Sequence, residues 1–187
     1  MKKKTLIYIV VGLVVVLLLG ILIFTNSKKE SIIKNVNDMN TMLDTIYTQL
    51  NDVLPSLENI EIDVEDENQV INYTGLKSNK DVKELVVSMP PISSQAYEVA
   101  VIKVSENANI EEMKQEIYDN INMNRWLCVS ADKLYITNNG DVIFLIMASE
   151  EWAKPVYDEF KKYVNNDIGK ELEKTNEQGE LPPEILG

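Results

Sequence analysis

From Ser31 onward, apolar residues recur every three or four positions: Ile32, Val36, Met39, Leu43, Ile46, Leu50 and Val53, with Pro55 closing the run. That spacing predicts an amphipathic helix over residues 31–54. It is also an a/d seam of three heptads, which would suit a homodimer through residues 32–53. Ile33, Tyr47 and Leu54 widen the stripe at e positions, and the e/g positions lack complementary charges. A stripe of that width suits a helix laid on its own sheet, and this reading is preferred to the dimer seam.

Further along, the period changes from helix to strand. Val82–Met89 and Tyr97–Val104 are rich in β-branched residues and are separated by Pro90-Pro91 and a Ser-Ser turn region. Asn109, with Glu112 three residues on, marks a helix start, and Ile110, Met113, Ile117 and Ile121 give that helix one apolar face. Trp126–Ser130 and Lys133–Thr137 read as strand, leading to Asn138-Asn139-Gly140-Asp141. Asn-Gly between β-forming runs predicts a type I′ hairpin, in which both central residues take positive φ. The returning run Val142–Ala148 is continuously apolar and is expected to be the most buried strand. Ser149 opens a last helix, with Pro155 placing its regular part from about residue 154. Val156, Phe160, Val164, Ile168 and Leu172 line its apolar side. The order is helix, then β-β-α, then β-β-α. That is an α+β domain over residues 31–174 with an antiparallel four-stranded sheet, followed by a flexible acidic tail over 175–187.

Ahead of this domain, Leu6–Phe24 is 19 consecutive residues without a charge. At roughly 1.5 Å per residue such a helix spans about 28 Å, close to the hydrocarbon thickness of a bilayer. A cleaved signal peptide is the rival reading. The run exceeds a usual signal core, and Ile21–Ser27 offers no A-x-A cleavage site. Residues 6–24 are therefore read as a transmembrane anchor between a basic N-terminus (1–5) and a juxtamembrane linker (25–30). Lys2, Lys3 and Lys4 outweigh Lys28 and Lys29, which Glu30 follows, so the N-terminus is expected in the cytoplasm and the bulk of the chain outside it. The reverse topology would make the domain a cytosolic regulatory partner.

Charge and composition narrow the function. The chain carries 18 basic and 30 acidic residues for a net −12, and without Lys2, Lys3 and Lys4 the remainder stands at −15. Such a field repels phosphate backbones, and with Arg125 as the single arginine, nucleic acid is an improbable partner. Zero histidine removes Ser-His-Asp and Cys-His catalysis and HExxH zinc sites. One cysteine, Cys128, allows no internal disulfide. Flanked by Trp126, Leu127 and Val129, it reads as a buried inert thiol.

The remaining candidates are weak. Residues 58–68 hold six carboxylates, but the spacing from Asp63 puts Asn68 and Thr74 where an EF-hand needs glycine and glutamate, so a solvated acidic loop is expected. Ser130 and Lys133 fit S-x-x-K, yet in a strand i and i+3 point to opposite faces, and Ser31/Lys34 matches equally well. Trp126 and Trp152 could form a stacking pair, though core packing is the default. Asn72-Tyr73-Thr74 is a glycosylation sequon, which means little if the source is bacterial. No catalytic, cofactor-binding or metal-ligating set emerges.

Tyr73-Thr74-Gly75-Leu76, then Ala96 and Glu98 before Val101–Val104, a helix, and Gly140-Asp141-Val142 before an apolar strand ending in Ser149 resemble the bacterial domain-of-unknown-function family 4358. The likeness covers roughly residues 70–165, and its motifs are structural, so it implies no activity and no catalytic residues. It implies a secreted or membrane-tethered protein of Gram-positive bacteria. Members are often lipid-anchored through an N-terminal cysteine, which this chain replaces by an apparent transmembrane segment. The resulting expectation is a single-pass, membrane-anchored extracytoplasmic module without enzymatic activity, meeting a protein partner in the envelope or a ligand. The alternative is a carboxylate-dependent hydrolase acting on envelope polymers.

Overall fold

A computed structural model describes residues 30–92 and 94–176. The expected transmembrane segment, the basic N-terminus, most of the linker and residues 177–187 lie outside the described residues. Among the described residues no helix is long and apolar enough to cross a membrane. The elements are α1 (Val36–Gln49), β1 (Glu58–Glu61), α2 (Glu67–Thr74), β2 (Val82–Met89), β3 (Tyr97–Val104), α3 (Ile110–Asn120), β4 (Lys133–Asn139), β5 (Val142–Ala148), α4 (Glu150–Tyr163) and β6 (Leu172–Thr175). This is an α+β architecture. Its sheet is antiparallel throughout and has six strands, in the order β1-β2-β3-β5-β4-β6.

The sheet is wider than the expected four strands, because both edges carry a short strand with no apolar alternation. ENIE and LEKT are mostly charged or polar, as edge strands often are, since charge discourages pairing with another chain. The acidic stretch 58–68 is therefore not one solvated loop. It supplies β1 and then Asp66, which caps α2 by accepting from the Asn68 and Gln69 N–H groups.

Helices cover both faces. α1 buries Met39, Met42, Leu43 and Ile46 against Val86, Val99, Val101 and Phe144, and α4 adds Val156, Tyr157 and Phe160 to the same face. The Phe144 and Phe160 rings stack with centroids 4.0 Å apart. On the other face, Val70 of α2 and Met113 and Ile117 of α3 pack on Leu85, Val87, Ile102 and Leu145. β5 is buried along its whole length for this reason: it is central, and a helix lies on each side of it. The middle of the heptad seam, Met39, Leu43 and Ile46, is thus consumed within the chain, while Ile32 and Val53 at its ends stand exposed. A homodimer through residues 32–53 would compete with that packing.

Four local expectations change. α1 starts at Val36, because the Asn35 side chain accepts from Asp38 N–H and residues 31–34 run ahead of it outside the helix. The hairpin turns at Gly140-Asp141, with Asn139 paired to Val142. Of the turn residues only Gly140 has positive φ, at 53°, the pattern of a type II′ rather than a type I′ turn. α4 runs from Glu150 straight through Pro155 and stops at Tyr163, where Asn165 and Asn166 adopt left-handed φ of 55° and 58°. Ile168 and Leu172 therefore leave the helix, and Leu172 begins β6, which extends into the expected tail as far as Thr175. Finally, Trp126–Ser130 is a loop, not a strand.

Candidate functional site

The two ends of the sheet are built differently. At the hairpin end, β2 begins, β3 finishes and the Gly140-Asp141 turn folds over, with Val104 N–H donating to Asp141 O. The segment preceding α1 is fastened here. Ser31 Oγ donates to Asn139 Oδ1 at 2.7 Å, and Ile32 N–H donates to the same oxygen at 3.0 Å. Ser31 N–H reaches Asp141 Oδ1, whose other oxygen receives Lys103 Nζ at 2.8 Å. Partial burial would raise the Asp141 carboxyl, but these donors outweigh it and hold the group below the ordinary aspartate range. Asn139 Nδ2 also donates to Asp167 O, so one buried asparagine ties together the start of the domain, the hairpin and the segment after α4. Next to it, Lys114 Nζ is buried against Asn138 Oδ1, Lys170 O and Glu111 Oε1, each at 2.7 Å. Burial lowers its pKa, and the three acceptors match its three protons.

At the opposite end, residues 121–132 form a loop that Ala131 N–H closes by bonding Met123 O at 2.9 Å. Arg125 holds this loop down. Its Nη1 donates to Glu98 Oε2 at 2.7 Å and to Asn72 O at 3.0 Å, and the guanidinium lies 4.9 Å from the centre of the Tyr73 ring. Glu98 is 1% exposed, faces Met147 across the strands, and its Oε1 has no hydrogen-bond partner. Burial raises its carboxyl to about 8 against the opposing pull of Arg125. Gly75 caps α2 at φ 74°, and a Cβ there would lie 2.7 Å from Ile121 N. Tyr73 and Glu98 thus meet at Arg125, while Gly75 ends the helix that carries Tyr73.

Above this base the loop displays apolar side chains. Leu127 is 75% exposed, Val129 is also exposed, and Ile92, in the β2–β3 connection at the same end of the sheet, is 62% exposed. Cys128 sits between Leu127 and Val129. It is exposed, with φ 63°, and not the buried thiol that its apolar neighbours suggested. The apolar run WLCVS misled because it pairs with no strand, so among the described residues nothing covers Leu127, Cys128 and Val129.

The other candidates separate. Lys133 Nζ bonds Glu173 Oε1 and Thr175 Oγ1 across β4 and β6, so the S-x-x-K pattern gains no Ser–Lys pair from it. Trp126 packs on the α2/α3 face and Trp152 against Tyr97 on the α1/α4 face, so the tryptophans lie on opposite sides of the sheet. Thr74 of the sequon is buried, bonded to Val70 O. Among the described residues no group of three or more Cys, Asp or Glu side chains is placed to hold a metal ion. No family model matches the chain, and no curated protein or solved structure matches it either. The Arg125 cluster organises a surface; it does not present a reactive group to solvent.

Proposed function

We propose that the chain is a membrane-anchored, extracytoplasmic interaction module with no enzymatic role, held to the bilayer by residues 6–24 and meeting a protein partner through the loop at the far end of its sheet. The observation that carries this reading is the polarity of the domain. The first described residues are bonded to the hairpin end, while Leu127, Val129 and Ile92 are exposed at the other. A six-residue linker reaches at most about 20 Å, so the hairpin end stays close to the anchor and the loop faces away from it. Leu127 and Val129 leave apolar side chains in solvent on one loop, with Ile92 exposed on the connection at the same end, and a contiguous apolar patch of this kind would mark a contact site. The resemblance to envelope proteins and the net charge, repulsive to nucleic acid, support the same setting. Glu98 meets an arginine and not a second carboxylate, which leaves the hydrolase reading without a paired-acid site in this cluster.

The test uses Cys128 as a handle. A short thiol-linked photo-crosslinker on the full chain in native membranes is expected to give a discrete adduct that Leu127→Asp suppresses. An adduct pattern identical in the wild type and Leu127→Asp, or no adduct in either, would overturn the assignment of this loop.

A further inference from the structure

Where β6 ends, the chain forms part of the wall of a cavity. Asn176 N–H donates to Asp132 O at 2.9 Å, and its Nδ2 donates to Asn124 Oδ1 at 2.8 Å and to Ala131 O at 3.0 Å. These bonds fix the point from which residues 177–187 leave the described domain. At that point a cavity of about 490 Å³ opens between the end of α3, the start of loop 121–132 and β6, and Asn124 and Asn176 both line it. Tyr118, Ile121, Met123 and Lys174 give the wall one aromatic ring, two apolar side chains and, among the described residues, its single charge. Lys174 Nζ is held there, since it donates to Tyr118 O at 2.9 Å and stands 5.1 Å from the centre of the Tyr118 ring.

The residues that follow match this wall in composition. Residues 180–186 read ELPPEIL: Leu181, Ile185 and Leu186 surround Pro182-Pro183, and Glu177, Glu180 and Glu184 supply acid without any basic residue. Proline-rich segments dock on aromatic rings because their fixed φ leaves little conformational freedom to lose. The acids find a cation in Lys174, within a domain whose overall charge is negative. Reach is ample: Leu181 and Pro183 are five and seven residues past Asn176, at most about 18 and 25 Å of chain. So short a tether holds the segment at an effective concentration on the order of millimolar, so weak contacts suffice.

We propose that residues 180–186 dock in cis in this cavity, with Pro182 and Pro183 against Tyr118 and the neighbouring carboxylates paired with Lys174. The docked segment adds to the Asn176 bonds that hold loop 121–132 to β6, as Arg125 holds the loop to α2 and β3. The contact is internal to the chain and stands whether or not the loop meets a partner.

Nitrogen-15 relaxation of the full chain in detergent micelles tests this. The wild type is expected to show order parameters for the Leu181, Glu184, Ile185 and Leu186 amides close to the rigid value of about 0.85, with cross-peaks from the Tyr118 ring to Pro182 or Pro183. Tyr118→Ala is expected to lower them below about 0.6. Equal values in the wild type and folded Tyr118→Ala, high or low, overturn the proposal: the segment is then bound elsewhere or free. If Tyr118→Ala fails to fold, the charge decides. Lys174→Glu should free the segment, and Glu180→Lys/Glu184→Lys in that background should return it. A segment indifferent to both changes contradicts the site.

Discussion

The Asn139 side chain, at the tip of the β4–β5 hairpin, accepts the hydroxyl of Ser31 from 108 positions earlier in the chain, at 2.7 Å and out of contact with solvent. The same oxygen takes the Ile32 N–H, so the hairpin organises the entry of the chain into the domain before α1 begins. Asn139→Ala removes this acceptor and leaves buried donors unpaired. It is expected to destabilise the domain by about 2–3 kcal/mol, measured by denaturant titration, with Ser31→Ala costing about 1 kcal/mol. A cost near zero for Asn139→Ala would mean that the entry segment is held by its apolar contacts.

Glu98 makes a pH-dependent contribution of known sign. Its folded-state pKa is raised to about 8 by burial, so between the unfolded carboxyl range near 4.5 and pH 8 the native state holds a proton that the unfolded chain has lost. Its contribution is fully present below about pH 4.5 and declines as pH rises to 8, with a limiting slope of about 1.4 kcal/mol per pH unit. The chain has no histidine to obscure that window. Melting temperature should therefore fall from pH 5 to 8 in the wild type, and Glu98→Gln should flatten the profile. Asp141 acts in the opposite sense: its lowered pKa gives stability that is lost as pH falls below about 4, and Asp141→Asn should remove that acid limb.

Gly75 is required twice, by its φ of 74° and by the 2.7 Å that separates a Cβ from Ile121 N. Backbone, not a flexible side chain, is the obstacle, so relaxation is costly. Gly75→Ala is expected to cost at least about 2 kcal/mol in a thermal melt and to loosen loop 121–132, seen as faster amide exchange at Ala131.

Lys114 is buried, and each of its three donors finds an acceptor. Lys114→Met keeps the length of the side chain but leaves Asn138 Oδ1 and Lys170 O without their donor, with an expected loss of about 3 kcal/mol in denaturant titration. A variant as stable as the wild type would show that water replaces the ammonium there.

The central strands were legible because their signal is local. Val82–Met89, Tyr97–Val104 and Val142–Ala148 are strands over the residues that their β-branched runs mark, and Asn109 caps α3 through Glu112 N–H as its spacing implies. What escaped depends on partners far along the chain. β1 and β6 are strands because β2 and β4 offer edges, not because ENIE or LEKT favours that state. The turn moved by one residue because the Asn139 side chain is engaged in the core with Ser31 and Asp167, which keeps it in the ladder. Of the candidate site, Cys128 was visible but misjudged, since apolar neighbours signal burial in a strand and not in a loop tip. Arg125 had no signal at all. Its meeting with Glu98, 27 residues earlier, and with Tyr73 follows from α2 and β3 converging at one end of the sheet.

Under the proposed function the domain stands outside the membrane with loop 121–132 facing away, and Cys128 reports on which side it lies. It is the single cysteine of the chain, and it is exposed at the loop tip. Intact cells producing the wild-type chain are treated with a membrane-impermeant maleimide, and lysed cells serve as the reference. An extracytoplasmic domain gives labelling of the membrane-bound chain in intact cells to the same extent as after lysis. Labelling only after lysis would place the domain on the cytoplasmic side and contradict the proposed function.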